Sequence, residues 1–220
     1  MGLLDDLKKK AESVRTQDNF QRTVQTENIA VVEDAMRRTF RYLHDLLEQL
    51  KVIKPTNPIV YSLHGIGEMR DLGFSDSSID YRTKKVADKE HYERVELYLV
   101  WSSPTDLVVA RDMPQTAEKV RDILRAANVR FKEDEKKGAM GTVVLTKFSI
   151  PKTVRADVSI RADYDKRRLA VVTKNLLRTG SDDFAFPADE CNEKLLEDLA
   201  HVLIGQPSDF RRYRTVLASH

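Results

Sequence analysis

A single cysteine, Cys191, stands in a chain of 220 residues. One thiol closes no intramolecular disulfide and builds no cysteine-rich zinc cage, so a disulfide-stapled secreted scaffold is excluded and a reducing compartment, the cytoplasm, is expected. An excess of one charge is also lacking. Lys and Arg number 37 against 35 for Asp and Glu, which leaves no global field to attract nucleic acid or an anionic membrane. Any basic site must be local. No apolar run reaches the ~20 residues that a bilayer requires, because charges interrupt each of them. At the start, Leu3, Leu4 and Leu7 precede Lys8, Lys9 and Lys10, the reverse of a secretory leader. Neither a membrane partner nor export is expected.

Familiar chemical motifs are missing as well. There is no Gly-x-x-x-x-Gly-Lys-Ser/Thr loop, no Gly-x-Gly-x-x-Gly turn, no Gly-x-Ser-x-Gly elbow and no His-Glu-x-x-His pair, so the usual phosphate cradles, nucleophile elbows and zinc helices are ruled out. His44, His91, His201 and His220 are scattered singly, and adjacent carboxylates such as Asp5-Asp6 and Asp182-Asp183 point in different directions on any regular element. No catalytic residue, metal ligand or cofactor is assigned, and a non-enzymatic role is preferred. The most suggestive cluster is His64-Gly65-Ile66-Gly67-Glu68. Its two glycines could bring amides near a histidine, but a glycine-assisted bend after a strand is the simpler reading.

Hydrophobic residues make up 41% and charged residues 33%, enough for a core beneath a charged skin. Ile29, Val32, Met36, Phe40, Leu43, Leu46, Leu47 and Leu50 recur at helical spacing, with charged residues between them. Lys54-Pro55-Thr56-Asn57-Pro58 ends that helix. A weaker helix covers Leu3 to Arg15, with Leu3, Leu7, Ala11 and Val14 on one side. A polar break at Thr16 to Asn19 follows, then a restart capped by Asp18 and Gln21. Residues 1–57 therefore read as a helical arm or hairpin.

After Pro58 the period becomes two. Val95, Leu97, Leu99 and Trp101 alternate with Arg94, Glu96, Tyr98 and Val100, and Leu107 to Ala110 reads as their hairpin partner, with a looser strand at Ile79 to Val86. Asp112, Met113, Pro114 and Gln115 open a short helix that Asn128 closes. Strands follow near Val129 to Glu133, Thr142 to Ile150, Thr153 to Arg161, Lys166 to Leu177 and Asp182 to Phe186. A last helix then carries Cys191, Leu195, Leu196, Leu199, Val202 and Leu203, ended by Gly205 and Pro207. Residues 58–207 thus read as an α+β domain with a largely antiparallel sheet, flat or curved, of about 7–8 strands and two packing helices. Residues 208–220 form a basic tail.

The opening Met1-Gly2-Leu3-Leu4-Asp5-Asp6-Leu7-Lys8, the stretch Ala35 to Tyr42 and Leu203-Ile204-Gly205-Gln206-Pro207 resemble a family of small bacterial cytoplasmic proteins that has no assigned function. The resemblance implies a bacterial, cytoplasmic origin and transfers no site residue.

The expected function is protein binding or scaffolding. Ile29, Val32, Met36, Phe40, Leu43, Leu47 and Leu50 would bind a partner, either a second copy or another protein. An alternative is a carrier with an apolar cavity lined by Phe74, Trp101, Phe131, Phe148, Phe184 and Phe186. Weaker readings are nucleic-acid contact through Arg211, Arg212 and Arg214 in the tail and a hydrolase built on His64 and Glu68.

Overall fold

The computed structural model describes residues 3–86, 88–139 and 141–214. Helix α1 (Leu3–Ile53) is continuous for 51 residues, about 77 Å at the usual rise. The break expected at Thr16 to Asn19 is absent. Those residues are polar but include neither proline nor glycine, and the Thr16 hydroxyl donates back to the Glu12 carbonyl at 2.8 Å instead of starting a new cap. The expected Asp18 cap, and the faces of Leu3, Leu7 and Ala11, lie outside the described side chains. The stop comes as the prolines dictate: Lys54 turns left-handed at φ 48° ahead of Pro55.

Eleven strands follow among the described residues: β1 (Thr56–Asn57), β2 (Tyr61–Leu63), β3 (Gly67–Met69), β4 (Leu72–Val86), β5 (Lys89–Ser102), β6 (Leu107–Arg111), β7 (Lys132–Lys137), β8 (Val143–Ile150), β9 (Thr153–Asp163), β10 (Arg168–Lys174) and β11 (Ser181–Pro187). Helix α2 (Pro114–Ala126) sits between β6 and β7, and α3 (Glu193–Leu203) follows β11. The chain is α+β, and its sheets are antiparallel. The main sheet has six strands in the order β1-β4-β5-β9-β10-β11, beside a β2-β3 pair and a three-stranded β6-β8-β7 sheet. The alternation of Ile59, Tyr61 and Leu63 matches β2 (Tyr61–Leu63), and the count exceeds the seven or eight expected in part because β1 and β3, of 2 and 3 residues, are too short to display alternation. No helix among the described residues is long and apolar enough to cross a membrane.

β6 is not the hairpin partner of β5. Long alternating strands flank β5 on both sides, β4 and β9, so it has no free edge, and β6 pairs with β8. The β5/β9 ribbon bends where Ser103 N–H donates to the Lys152 carbonyl at 2.9 Å, then continues as β6/β8. Helix α2 and the small sheet share a core of Val109, Ala117, Val120, Leu124, Phe148 and Ile150. Met113, not Asp112, is the N-cap of α2, with no side-chain cap. Pro114 suits the first turn because its missing N–H would have lacked a partner there. Asn128, at φ 51°, ends α2 as expected.

Register turns the alternating strands into rows. On one face of the main sheet Tyr81, Val95, Ile160, Val171 and Phe184 lie side by side, next to Ile79, Leu97, Val158, Thr173 and Asp182. The second half of α1 packs across this face, onto β4, β5, β9 and β10, and also touches α3. Asn192 caps α3 by accepting the Leu195 N–H at 3.0 Å, and Cys191 sits just before that helix rather than on it. Gly205 closes α3 at φ +75°, where a Cβ would lie 2.7 Å from Asn57 Oδ1. Only glycine meets both conditions.

Met36 is wholly buried and Phe20 is 69% exposed, so the two halves of α1 should respond differently to truncation. Met36→Ala is expected to lower stability by about 2–5 kcal/mol and Phe20→Ala by no more than about 0.5 kcal/mol, measured by urea denaturation at a dilution where light scattering shows each chain to be monomeric.

Candidate interaction surface

The stripe expected to take a partner is already occupied. Val32, Met36, Leu43, Leu47 and Leu50 are buried in the chain's own core, and the half-buried Phe40 stacks edge-on against Tyr81 at 5.0 Å. Ile29 is half-buried and borders a small hollow of about 150 Å³ with Gln25, Lys84, His91, Tyr164 and Asp165. Helix and sheet satisfy one another there.

A polar fastening accompanies this packing. Glu33, on the edge of the stripe, accepts the Tyr92 N–H at 2.8 Å and contacts the Tyr164 hydroxyl, and His91 Nδ1 lies 3.4 Å from the same carboxylate oxygen. The Tyr164 hydroxyl also lies 2.7 Å from the Tyr92 carbonyl. Burial, reinforced by the Glu33 contact and charge, pushes the Tyr164 phenol well above its ordinary range. It therefore stays a neutral donor rather than an acid or base near neutrality. Nothing in the sequence tied Glu33 to Tyr164, because the two meet only when β9 turns back beneath α1.

Toward its N-terminus α1 loses its cover. Every side chain described between Val14 and Glu27 is exposed, including Val14 at 58%, Phe20 at 69% and Val24 at 38%. Thr16, Thr23 and Thr26 return their hydroxyls to the carbonyls of Glu12, Asn19 and Arg22 at 2.8 to 3.0 Å. That geometry satisfies the polar atom within the helix. It makes the surface around Phe20 less polar than its composition implies.

The remaining sequence candidates are engaged elsewhere. Phe210 is buried among Phe184, Phe186 and Tyr213, and Arg214 forms a β-bridge with Phe184 while its guanidinium meets the buried Asp182. Arg212 lies 4.8 Å above the Tyr213 ring, and both Arg211 and Arg212 are exposed. The segment through Arg214 is thus docked on β11, and the rest of the tail lies outside the described residues. His64 is exposed at a hairpin turn between β2 and β3 where Gly65 has φ +75°, and Glu68 accepts from Arg70 Nε at 2.8 Å rather than turning to His64. The aromatics expected to line a cavity pack on one another: Phe74 on Trp101 at 5.6 Å and Phe131 on Phe148 at 5.8 Å. Burial pushes the Cys191 thiol up, leaving it inert beside Thr39. Among the described residues no three His, Cys, Asp or Glu side chains converge as a metal site would require.

The face of the main sheet away from α1 carries charge. Arg82, Arg94 and Arg161 stand directly opposite one another on β4, β5 and β9, and the row continues through Ala170 and Ala185 on β10 and β11. One pleat further along lie Asp80, Glu96, Ser159, Val172 and Asp183. A shallow groove of about 400 Å³ crosses this face, bounded by Ser78, Asp80, Glu96, Tyr98, Ser159 and Lys174 among others. Known families, curated proteins and solved structures contain no match to this chain, so any function has to be read from the geometry.

The raised phenol of Tyr164 links the fastening to pH. The unfolded chain releases this proton near pH 10 while the folded chain holds it. The unfolded state then binds fewer protons, so stability is fully present below about pH 10 and falls as pH rises beyond it. Tyr164→Phe is expected to cost about 1 kcal/mol at pH 8 and to show a shallower decline between pH 10 and 11.5, checked by urea denaturation at each pH. A parallel decline in both proteins would rule out this linkage.

Proposed function

We propose that the protein is a non-enzymatic scaffold that associates with a second copy of itself through the exposed part of α1 between Val14 and Glu27. The observation that carries this reading is the exposure of Val14, Phe20 and Val24 on a helix that continues well past its own body. Most helical stability comes from packing an apolar face, and every side chain described from Val14 to Glu27 is exposed. The arm's charges compensate internally, Asp5, Asp6, Glu12, Asp18 and Glu27 against Lys8, Lys9, Lys10, Arg15 and Arg22. A near-neutral arm meets no repulsion from its own copy and offers little to a strongly charged partner. Pairing of identical arms about a two-fold axis satisfies both partners at once.

The buried stripe from Val32 to Leu50 serves this function by holding the base of the arm rigid, with Glu33 as its polar fastening. We place the protein in the cytoplasm, because the sole thiol is free and buried and needs no oxidising environment. The role involves no reaction, and no small apolar ligand is required to complete the core.

Multi-angle light scattering of the full chain over a range of concentrations tests the reading. A dimer that dissociates on dilution is expected, and Phe20→Glu combined with Val24→Glu is expected to give a folded monomer with unchanged near-ultraviolet circular dichroism. A full chain that stays monomeric at the highest soluble concentration, or a doubly substituted chain that stays dimeric, would overturn it.

A further inference from the structure

We infer that the uncovered face of the main sheet holds a binding site for a compact phosphate-bearing small molecule, centred on Arg94, Arg161 and Ser159. Like charges directly opposite on neighbouring strands repel one another, yet the register places Arg82 opposite Arg94 and Arg94 opposite Arg161. Among the described residues only Glu96 forms ion pairs with the row. Its carboxylate lies 3.5 Å from Arg82 Nε and 3.5 Å from Arg94 Nε, near enough to attract both but short of a proper hydrogen bond to Arg94. Arg94 Nε is fully buried and has no hydrogen-bond partner. Arg161 is exposed, and no ion pair involves it among the described residues.

A second orphan lies alongside. The Ser159 hydroxyl is also fully buried and unpartnered. It sits opposite Glu96 and two residues before Arg161 on the same face, hence diagonal to Arg94. A buried polar atom without a partner costs on the order of 1–3 kcal/mol, and two of them beside an unpaired guanidinium mark a place where an acceptor is missing. Ala170, opposite Arg161, and Ala185 beyond it keep the floor low, so a small ligand can settle next to the arginines. A tetrahedral oxyanion presents oxygens in three directions, matching donors on two strands and at a diagonal position, whereas one guanidinium fork already satisfies a carboxylate.

The neighbouring acidic row limits what can bind. The backbone positions of Asp80, Glu96 and Asp183 stand about 7 Å along the strands from the basic row, the repeat of same-face residues, and of the three only Glu96 pairs with that row, reaching Arg82 and Arg94. The three carboxylates repel an extended polyanion such as nucleic acid while leaving room for a single phosphate over the arginines.

The site can be tested on the full chain by recording amide and arginine Nε–H resonances during titration with inorganic phosphate, a simple phosphate monoester and acetate. Saturable shifts at Arg94, Ser159 and Arg161 are expected with phosphate and with the monoester, the monoester binding at least as tightly, and weak unsaturated shifts with acetate. Arg161→Ala, at an exposed position that leaves the core intact, is expected to weaken phosphate binding about tenfold or more, the worth of a charge-assisted hydrogen bond. Lys174→Ala, on the same face but off the row, is expected to leave it unchanged. Equal binding in Arg161→Ala, non-saturating shifts spread over many surface cations, or acetate binding as tightly as phosphate would each overturn the proposal.

Discussion

The structure depends on one contact: the second half of α1 lying across the apolar face of the main sheet. Neither partner is stable alone. An antiparallel sheet with rows such as Val95, Ile160, Val171 and Phe184 must have that face covered, and the helix stripe from Val32 to Leu50 must find an apolar surface. At roughly 1.5–3 kcal/mol for each large side chain withdrawn from water, this seam outweighs the polar contacts around it. Glu33, Tyr92 and Tyr164 add direction rather than bulk stability. Their hydrogen bonds set where along the sheet the helix comes to rest.

That seam also decides which part of the helix stays exposed. Once residues from Val32 to Leu50 are buried, the helix can offer only the segment before Asn28, whose apolar residues are fewer and whose threonines have turned their hydroxyls inward. The two ends of one uninterrupted helix therefore have different roles, an anchor and a projection. Continuity between them matters because an uninterrupted backbone ladder transmits orientation, whereas a hinge at Thr16 to Asn19 would have let the projection swing.

The opposite face of the sheet follows a different logic. Alternation sends Arg94, Glu96 and Tyr98 outward as surely as it sends Val95, Leu97 and Leu99 inward, and the register then sorts the outward charges into a basic row and an acidic row. Edge protection is handled separately. On β4 the amides of Ser77 and Tyr81 are each engaged at 2.8 Å by the preceding aspartates, Asp76 and Asp80, and the charged β7 limits the small sheet. Both devices discourage addition of a foreign strand.

Much of the fold was legible in the sequence because it rests on local physics. The helical period from Ile29 to Leu50, the stop at Lys54 to Pro58, the alternation in β5 and β9 and the glycine at 205 each reflect constraints within a few residues of backbone. The break at Thr16 to Asn19 was misread because polarity alone does not interrupt a helix, and the β5/β6 hairpin was misread because adjacency in sequence does not determine which strand finds a free edge. Those outcomes, the burial of the supposed partner stripe, the meeting of Glu33 with Tyr164 and the line of Arg82, Arg94 and Arg161 were settled only in three dimensions. A local pattern determines which face of an element is apolar or charged. What lies against that face depends on register between distant segments, where the burial of the whole core selects one pairing among many.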